Sequence, residues 1–265
     1  MFEDVTFYIP SKGRANKQIT LDSLSPEVLA RCHVLVDDDE LWDYEDAGIA
    51  YCVPVDEGVT GIGNVRQWAI DNCTTQYLFL LDDDMVFFVR EQSGSTKLRK
   101  TTPDDINTMF NDLIDWMDFD GVPVVGLSAR QGNNHVEDDY VEATRQMNFH
   151  GVDVARFKEL DLVFNGQEVM EDFFMTLTLL TKGYFNRVFY KYCWNQLGSG
   201  AEGGCSSYRT WELQKLCAEK LHSAFPDFVT VVKKKTKTTW KEFPERYDVR
   251  VQWKKAYQFG RTNNA

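Results

Sequence analysis

An unbroken apolar run that empties into three consecutive carboxylates constrains this chain more than any other feature. Tyr77-Leu78-Phe79-Leu80-Leu81 is followed at once by Asp82-Asp83-Asp84. Five apolar residues without polar alternation suit a strand covered on both faces, as in a parallel sheet flanked by helices. The carboxylates then stand at the carboxyl end of that strand, where open α/β sheets hold their ligands. In extended backbone alternate side chains share a face, so Asp82 and Asp84 are expected to point together and Asp83 away. Two same-facing carboxylates make a hard oxygen donor set for Mg²⁺ or Mn²⁺. Acidic triplets also serve as helix caps and solvated turns. His33-Val34-Leu35-Val36 followed by Asp37-Asp38-Asp39 repeats the arrangement, and spacing alone does not rank the two.

Strand and helix signals alternate along the first two thirds. Val5–Ile9, Ala50–Val53 and Val122–Leu127 supply three further short apolar runs, with Pro123 marking a strand start or sheet edge. Thr102-Pro103-Asp104-Asp105 offers an N-cap, proline at the first helical position and early acidic residues. After it Ile106, Met109, Phe110, Leu113, Ile114 and Met117 recur at helical spacing. Helices are also expected from Asn64 to Cys73, from Glu171 to Lys182 with Gly183 beyond its end, and from Tyr208 to Ala224. Residues 90–101 read as a mobile loop. The pattern predicts an α/β fold with a mostly parallel, Rossmann-like central sheet flanked by helices.

The 265 residues are 43% hydrophobic, enough for a sizeable core. No apolar run approaches the roughly 20 residues that cross a bilayer. Met1 leads into Phe2-Glu3-Asp4 with no basic, then apolar, leader. The six cysteines form no CxxC pair. A cytoplasmic protein with reduced thiols and no membrane association is expected. Charge is unevenly spread. Residues 226–265 carry ten Lys/Arg against four Asp/Glu, leaving 19 against 37 for the first 225. An acidic body with a basic tail suits a cation site joined to a segment that meets a polyanion. The expected organisation is one domain over 1–225 and a basic C-terminal extension over 226–265.

The order of features resembles the GT-A glycosyltransferases, nucleotide-sugar-dependent enzymes with a Rossmann-like sheet. Ile9-Pro10-Ser11-Lys12-Gly13-Arg14 matches the loop after the first strand, at the nucleotide. Asp37 matches the acid that approaches the nucleobase or ribose. Gly61-Ile62-Gly63-Asn64-Val65-Arg66 matches the glycine-rich turn that opens a helix with a basic residue. Asp82-Asp83-Asp84 matches the metal-binding DxD, and Glu171-Asp172 the acidic pair at a later helix start. More narrowly the chain resembles the phage-encoded TET-associated glycosyltransferases, which add sugars to hydroxymethylated pyrimidines in DNA. That resemblance rests on Tyr8–Arg14, on Gly63-Asn64-Val65-Arg66, and on Gly203-Gly204-Cys205-Ser206-Ser207-Tyr208-Arg209-Thr210.

The resemblance implies displacement at the anomeric carbon of a nucleotide sugar. It assigns Pro10, Ser11, Lys12, Arg14, Asp37, Arg66, Asp82 and Asp83 to the donor. Asp82 and Asp84 would hold Mn²⁺ or Mg²⁺, with His222 as a third ligand. Asp172 would be the base that takes the acceptor proton, with Glu171 as the alternative, and a single displacement inverts the anomeric centre. His150 is a candidate for the acceptor side. Gly198–Gly204 has the composition of a loop that closes over a donor. Lys233, Lys234, Lys235, Lys237, Trp240 and Lys241 interleave cations with an aromatic and are assigned to nucleic acid, because lysines meet phosphate and tryptophan stacks on bases. A double-stranded DNA acceptor in infected bacterial cytoplasm follows. Three rivals stand beside it: a glycosyltransferase of glycans or small molecules, a sugar-1-phosphate nucleotidyltransferase, and a catalytically silent DNA-binding protein.

Overall fold

A computed structural model describes residues 2–92, 94–196, 208–235 and 245–263. Its spine is a ten-stranded sheet. The apolar runs of the sequence become β1 (Val5–Pro10), β2 (Cys32–Val36), β3 (Cys52–Pro54), β4 (Tyr77–Leu81) and β7 (Val124–Ala129). Three strands follow from no apolar run recognised above: β5 (Met85–Arg90), β9 (Phe149–Asp153) and β10 (Asn186–Gln196). Residues 90–101 are not a loop throughout, for β6 (Leu98–Lys100) turns back to pair antiparallel with β5. Short β8 (Tyr140–Glu142) pairs with β10.

The order is β3-β2-β1-β4-β9-β7-β10-β5-β6. Strands β1 to β4 are parallel neighbours, and β7 and β10 run in the same direction. Between β4 and β7 lies β9, antiparallel to both. The predicted mostly parallel sheet is therefore present, with a reversed strand at its middle. That strand carries Asn148 to the carboxyl end of β4, where the amide N–H of Asp82 donates to the Asn148 carbonyl at 3.1 Å.

Helices cover both faces. On one, α4 (Pro103–Asp118) begins with a full capping box between Thr102 and Asp105 and buries Ile106, Met109, Phe110, Leu113 and Met117. Phe110 packs edge-on to the stacked pair Phe7 and Phe79, centroids 4.8 and 4.9 Å away. Short α1 (Pro26–Leu29) adds Val28 to this face. The acidic residues after β2 form a 3-10 turn, Asp38–Glu40, before α2 (Leu41–Asp46). On the opposite face α3 (Ile62–Asn72), α5 (Val154–Glu159) and α6 (Glu171–Thr181) pack on Leu78, Leu80, Val124 and Val152.

Residues 208–263 build a third cluster. Here α7 (Trp211–Ala224), the antiparallel pair β11 (Val229–Lys235) and β12 (Glu245–Val251), and α8 (Trp253–Asn263) pack against the far side of α6. The basic stretch thus contains a hairpin and a helix with buried Phe228, Val229, Val249 and Ala256. Gly260 makes the α6–α8 approach possible, since a Cβ there would lie 2.3 Å from the Leu180 carbonyl oxygen. No described helix is long and apolar enough to cross a membrane.

Candidate active site

The site forms where β1, β4 and β10 end and where α3 and α6 begin. Strand β4 stops at Leu81, and Asp82-Asp83-Asp84 turns toward β5. Strict extended alternation therefore does not apply beyond Leu81. Asp83 and Asp84 both meet Arg14, whose Nη1 lies 2.5 Å from Asp83 Oδ1 and 3.4 Å from Asp84 Oδ2. Asp82 faces Arg66 instead, with Nη2 2.7 Å from Oδ1. Fully buried Thr20 fixes the turn: its hydroxyl donates to the Asp82 carbonyl and accepts from the Met85 amide, and its own amide donates to the Asp83 carbonyl.

Arg66 joins the two acidic segments. It is 4% exposed, and its other terminal nitrogen donates to Glu171 Oε1 at 2.6 Å. The approach depends on Gly63, one turn earlier on α3, where a Cβ would sit 2.8 Å from the Phe164 carbonyl oxygen and 3.1 Å from that of Gln167. Tyr208 closes the same helix end by accepting the Ile62 amide at 3.1 Å. At the start of α6, Met170 adopts a left-handed conformation with φ +62°. Asn148, φ +65°, donates to Asp82 Oδ2 at 2.6 Å. Backbone strain at two residues that touch the acidic groups is characteristic of functional sites.

Glu171 and Asp172 are both buried. Burial raises Glu171, opposed chiefly by Arg66. Burial likewise raises Asp172, opposed first by Arg145 and then by Arg66. Asp84 is pushed up to about 6 by burial, then by Asp82 and Asp83. Its Oδ1 is buried without a hydrogen-bond partner among the described residues. Such an atom is costly unless something positive meets it, so the turn fits a hard divalent cation. Among the described residues no three His, Cys, Asp or Glu side chains form a ready-made cage; two carboxylates with water and phosphate oxygens would complete a coordination shell.

The other assigned residues divide sharply. Ser11, at the end of β1 after Pro10, donates to Asp83 Oδ2 at 2.6 Å and sits 2.8 Å from the Tyr44 hydroxyl. Lys12 pairs with Asp37, and Glu40 accepts the Gly13 amide at 2.7 Å. Lys12, Arg14 and Arg66 are therefore each engaged with a carboxylate. Arg66 acts as a buried bridge, not as an exposed diphosphate clamp, because both carboxylates reach it inside the protein. His222 is not at the acidic turn: exposed near the end of α7, its Nδ1 meets the Val229 carbonyl at 2.7 Å. His150 is fully buried beside Phe164 and driven well down by burial, so it does not line an open acceptor face. Lys233, Lys234 and Lys235 lie along β11, where Lys234 pairs with Asp248 at 2.8 Å. Lys237, Trp240, Lys241 and Gly198–Gly204 lie outside the described residues.

Sequence reasoning missed Asn148, Thr20, Gln196 and Arg145. Gln196, at the end of β10, lies 3.4 Å from Asp82 Oδ2. Only an asparagine just before a strand hinted at Asn148, since asparagine tolerates the left-handed region; the other three bear no local mark.

A family model described as TET-Associated Glycosyltransferase matches residues 5–204. The chain belongs to that family. It is 23% identical over 239 residues to the Beta-glucosyl-HMC-alpha-glucosyl-transferase of Enterobacteria phage T6, covering 84% of this chain and 82% of that one, and 23% identical over the same length to the phage T2 enzyme of the same name. Among solved structures, GalNAc-T7 with UDP, GalNAc and Mn2+ aligns with a TM-score of 0.55 and 11% identity, over 84% of this chain and 48% of that one. Residues 1–349 of S. aureus TarS align with a TM-score of 0.48 and 13% identity, over 82% of this chain and 65% of that one. The chain is a glycosyltransferase with the GT-A fold.

Proposed function

We propose that this chain transfers a sugar from a nucleotide-sugar donor to a hydroxymethylated pyrimidine in phage DNA, in the cytoplasm of the infected host. The observation that carries the reading is Arg66, which ties Asp82 of the acidic turn to Glu171 of the α6 start within 2.7 Å on each side. A donor-side acid and a candidate base thereby share one site. Family membership and the names of the T6 and T2 relatives support the acceptor class.

Asp82 and Asp84 would hold Mn²⁺ or Mg²⁺, which when bound neutralises charge on the departing diphosphate. Ser11 and Arg14 fix Asp83 and with it the turn. Asp172 takes the proton of the attacking hydroxyl. Its burial raises its affinity for a proton, and Arg145 and then Arg66 oppose that rise. Attack opposite the leaving group inverts the anomeric centre. The name of the T6 relative describes an α-glucosyl product on a β-glucosyl acceptor, which favours a second reading: an acceptor already carrying one sugar. From an α-linked donor an α product means retention, and Asp172 then is not the base.

One experiment separates these. The protein is incubated with Mn²⁺, a panel of nucleotide sugars, and plain, hydroxymethylated or glucosylated duplex DNA, and the nucleosides are weighed. A gain of one sugar on modified duplex alone is expected; no gain on any duplex would remove the DNA acceptor. Asp172→Asn is expected to cut turnover roughly 10²- to 10⁴-fold with donor affinity kept, and near-normal turnover removes it from the base role.

A further inference from the structure

Resting on the acceptor reading above, we propose that the cleft between the Ala143–Thr144 turn and the start of α8 docks the phosphate backbone of the acceptor DNA and leads it to Asp172. The cleft holds about 360 Å³ and is lined by Ala143, Thr144, Gln252, Trp253, Lys254 and Lys255. A continuous stack joins it to the reaction centre. The Arg145 guanidinium lies 4.7 Å from the centre of the Phe173 ring, and Phe173 packs on Trp253 with centroids 5.5 Å apart. Phe173 is the residue after Asp172 on α6.

Its walls are held in place. Ala143 has φ +48°. Fully buried Asn186 accepts the Ala143 amide on its carbonyl and the Thr144 amide on its side chain, and its own amide group donates to the Thr144 carbonyl and to Gln146. A clamped turn presents Arg145 at little ordering cost.

The cations at this cleft, Arg145, Lys254 and Lys255, are exposed and carry no ion pair among the described residues. Arg145 lies over Phe173, and Lys255 lies over the Phe228 ring and donates to the Asp227 carbonyl at 3.1 Å. On the neighbouring hairpin, by contrast, Lys234 is paired with Asp248. In a chain of net charge −12, a patch of exposed cations without carboxylate partners among the described residues, beside a flat indole, selects a polyanion with stackable bases. The hydroxyl that is to be glycosylated must reach Asp172, so the polyanion that ends there is the acceptor and not an acidic protein.

The test is fluorescence anisotropy of the full chain with a labelled hydroxymethylated duplex across a salt series. Lys254→Glu with Lys255→Glu is expected to raise Kd about 10-fold at low salt, and to reduce the slope of log affinity against log salt by about 2. Lys254→Arg with Lys255→Arg restores both. A melting temperature within about 2 °C of wild type reports an intact fold. Unchanged Kd and slope would overturn the docking site, as would polyglutamate binding as tightly as duplex. If wild type glycosylates duplex while the Glu variant binds normally, the docking site falls alone. If wild type binds duplex through these lysines yet transfers no sugar to any form of it, the acceptor reading falls and the docking site stands. A wild type that does not bind duplex overturns both.

Discussion

Two identical tripeptides end two parallel strands of one sheet, and the protein uses them differently. Asp37-Asp38-Asp39 follows β2, one strand from the edge, and winds into a 3-10 turn whose Asp38 and Asp39 face solvent. Among the described residues its ion-pair partner is Lys12, at Asp37. Asp82-Asp83-Asp84 follows β4 at the centre of the sheet, and two arginines, a serine and an asparagine converge on it. The same charges that cost little in water are expensive inside, so the central turn is viable only because distant elements supply donors. Sheet position, not local sequence, decides which triplet becomes chemical machinery.

Substitution tests that contrast directly. Asp82→Asn is expected to lower sugar transfer roughly 10³- to 10⁴-fold, a loss of several kcal/mol in transition-state stabilisation, while Asp38→Asn leaves the rate near wild type; equal losses in a radioactive-sugar transfer assay would erase the distinction. Next in size, Arg66→Met leaves Glu171 buried without its ion-pair partner and removes one of the donors to half-buried Asp82, at about 3–5 kcal/mol by denaturant unfolding. Adding Glu171→Gln should recover part of it, and a cycle that merely adds would mean that the bridge is not a unit.

The central triplet also carries a pH signature. Asp84 has an ordinary value of 3.8 and is held at about 6, by burial first. A carboxyl raised in the folded state lends its full stability below about 3.8 and loses it as pH rises through about 6. Asp84→Asn is therefore expected to raise the cation-free melting temperature at about pH 7.5, with the gain shrinking toward about pH 5; a gain that grows on acidification contradicts the assignment. Smallest of all, Lys12→Ala at the outer triplet removes a half-exposed ion pair and should cost below about 1 kcal/mol, checked by the same melting curves.

Much of the frame is legible in the sequence because its causes are local. Continuous apolar runs mark β1, β2, β4 and β7, and Thr102-Pro103-Asp104-Asp105 marks the start of α4. Strand β9 is hidden, since Phe149-His150-Gly151-Val152-Asp153 is short and its central glycine is there for the Phe79 ring, 2.4 Å from where a Cβ would stand. The tail hairpin is hidden by its lysines, since Lys233-Lys234-Lys235 is a consecutive run that reads as charge and not as a strand. At the site the residue types were readable and the partnerships were not. Arg66 finds Glu171 across 105 positions, and Asn148 finds Asp82 across 66. Such pairings are properties of topology. His222 failed for the same reason, being the right chemical type on a helix that the fold turns elsewhere.

The crossing at Gly260 has a consequence for biogenesis. Helix α8 comes after every other described element, yet it buttresses the one that bears the acidic pair. During translation the reaction centre therefore lacks its back wall until residues 253–263 have left the ribosome, and competence for chemistry waits on that helix.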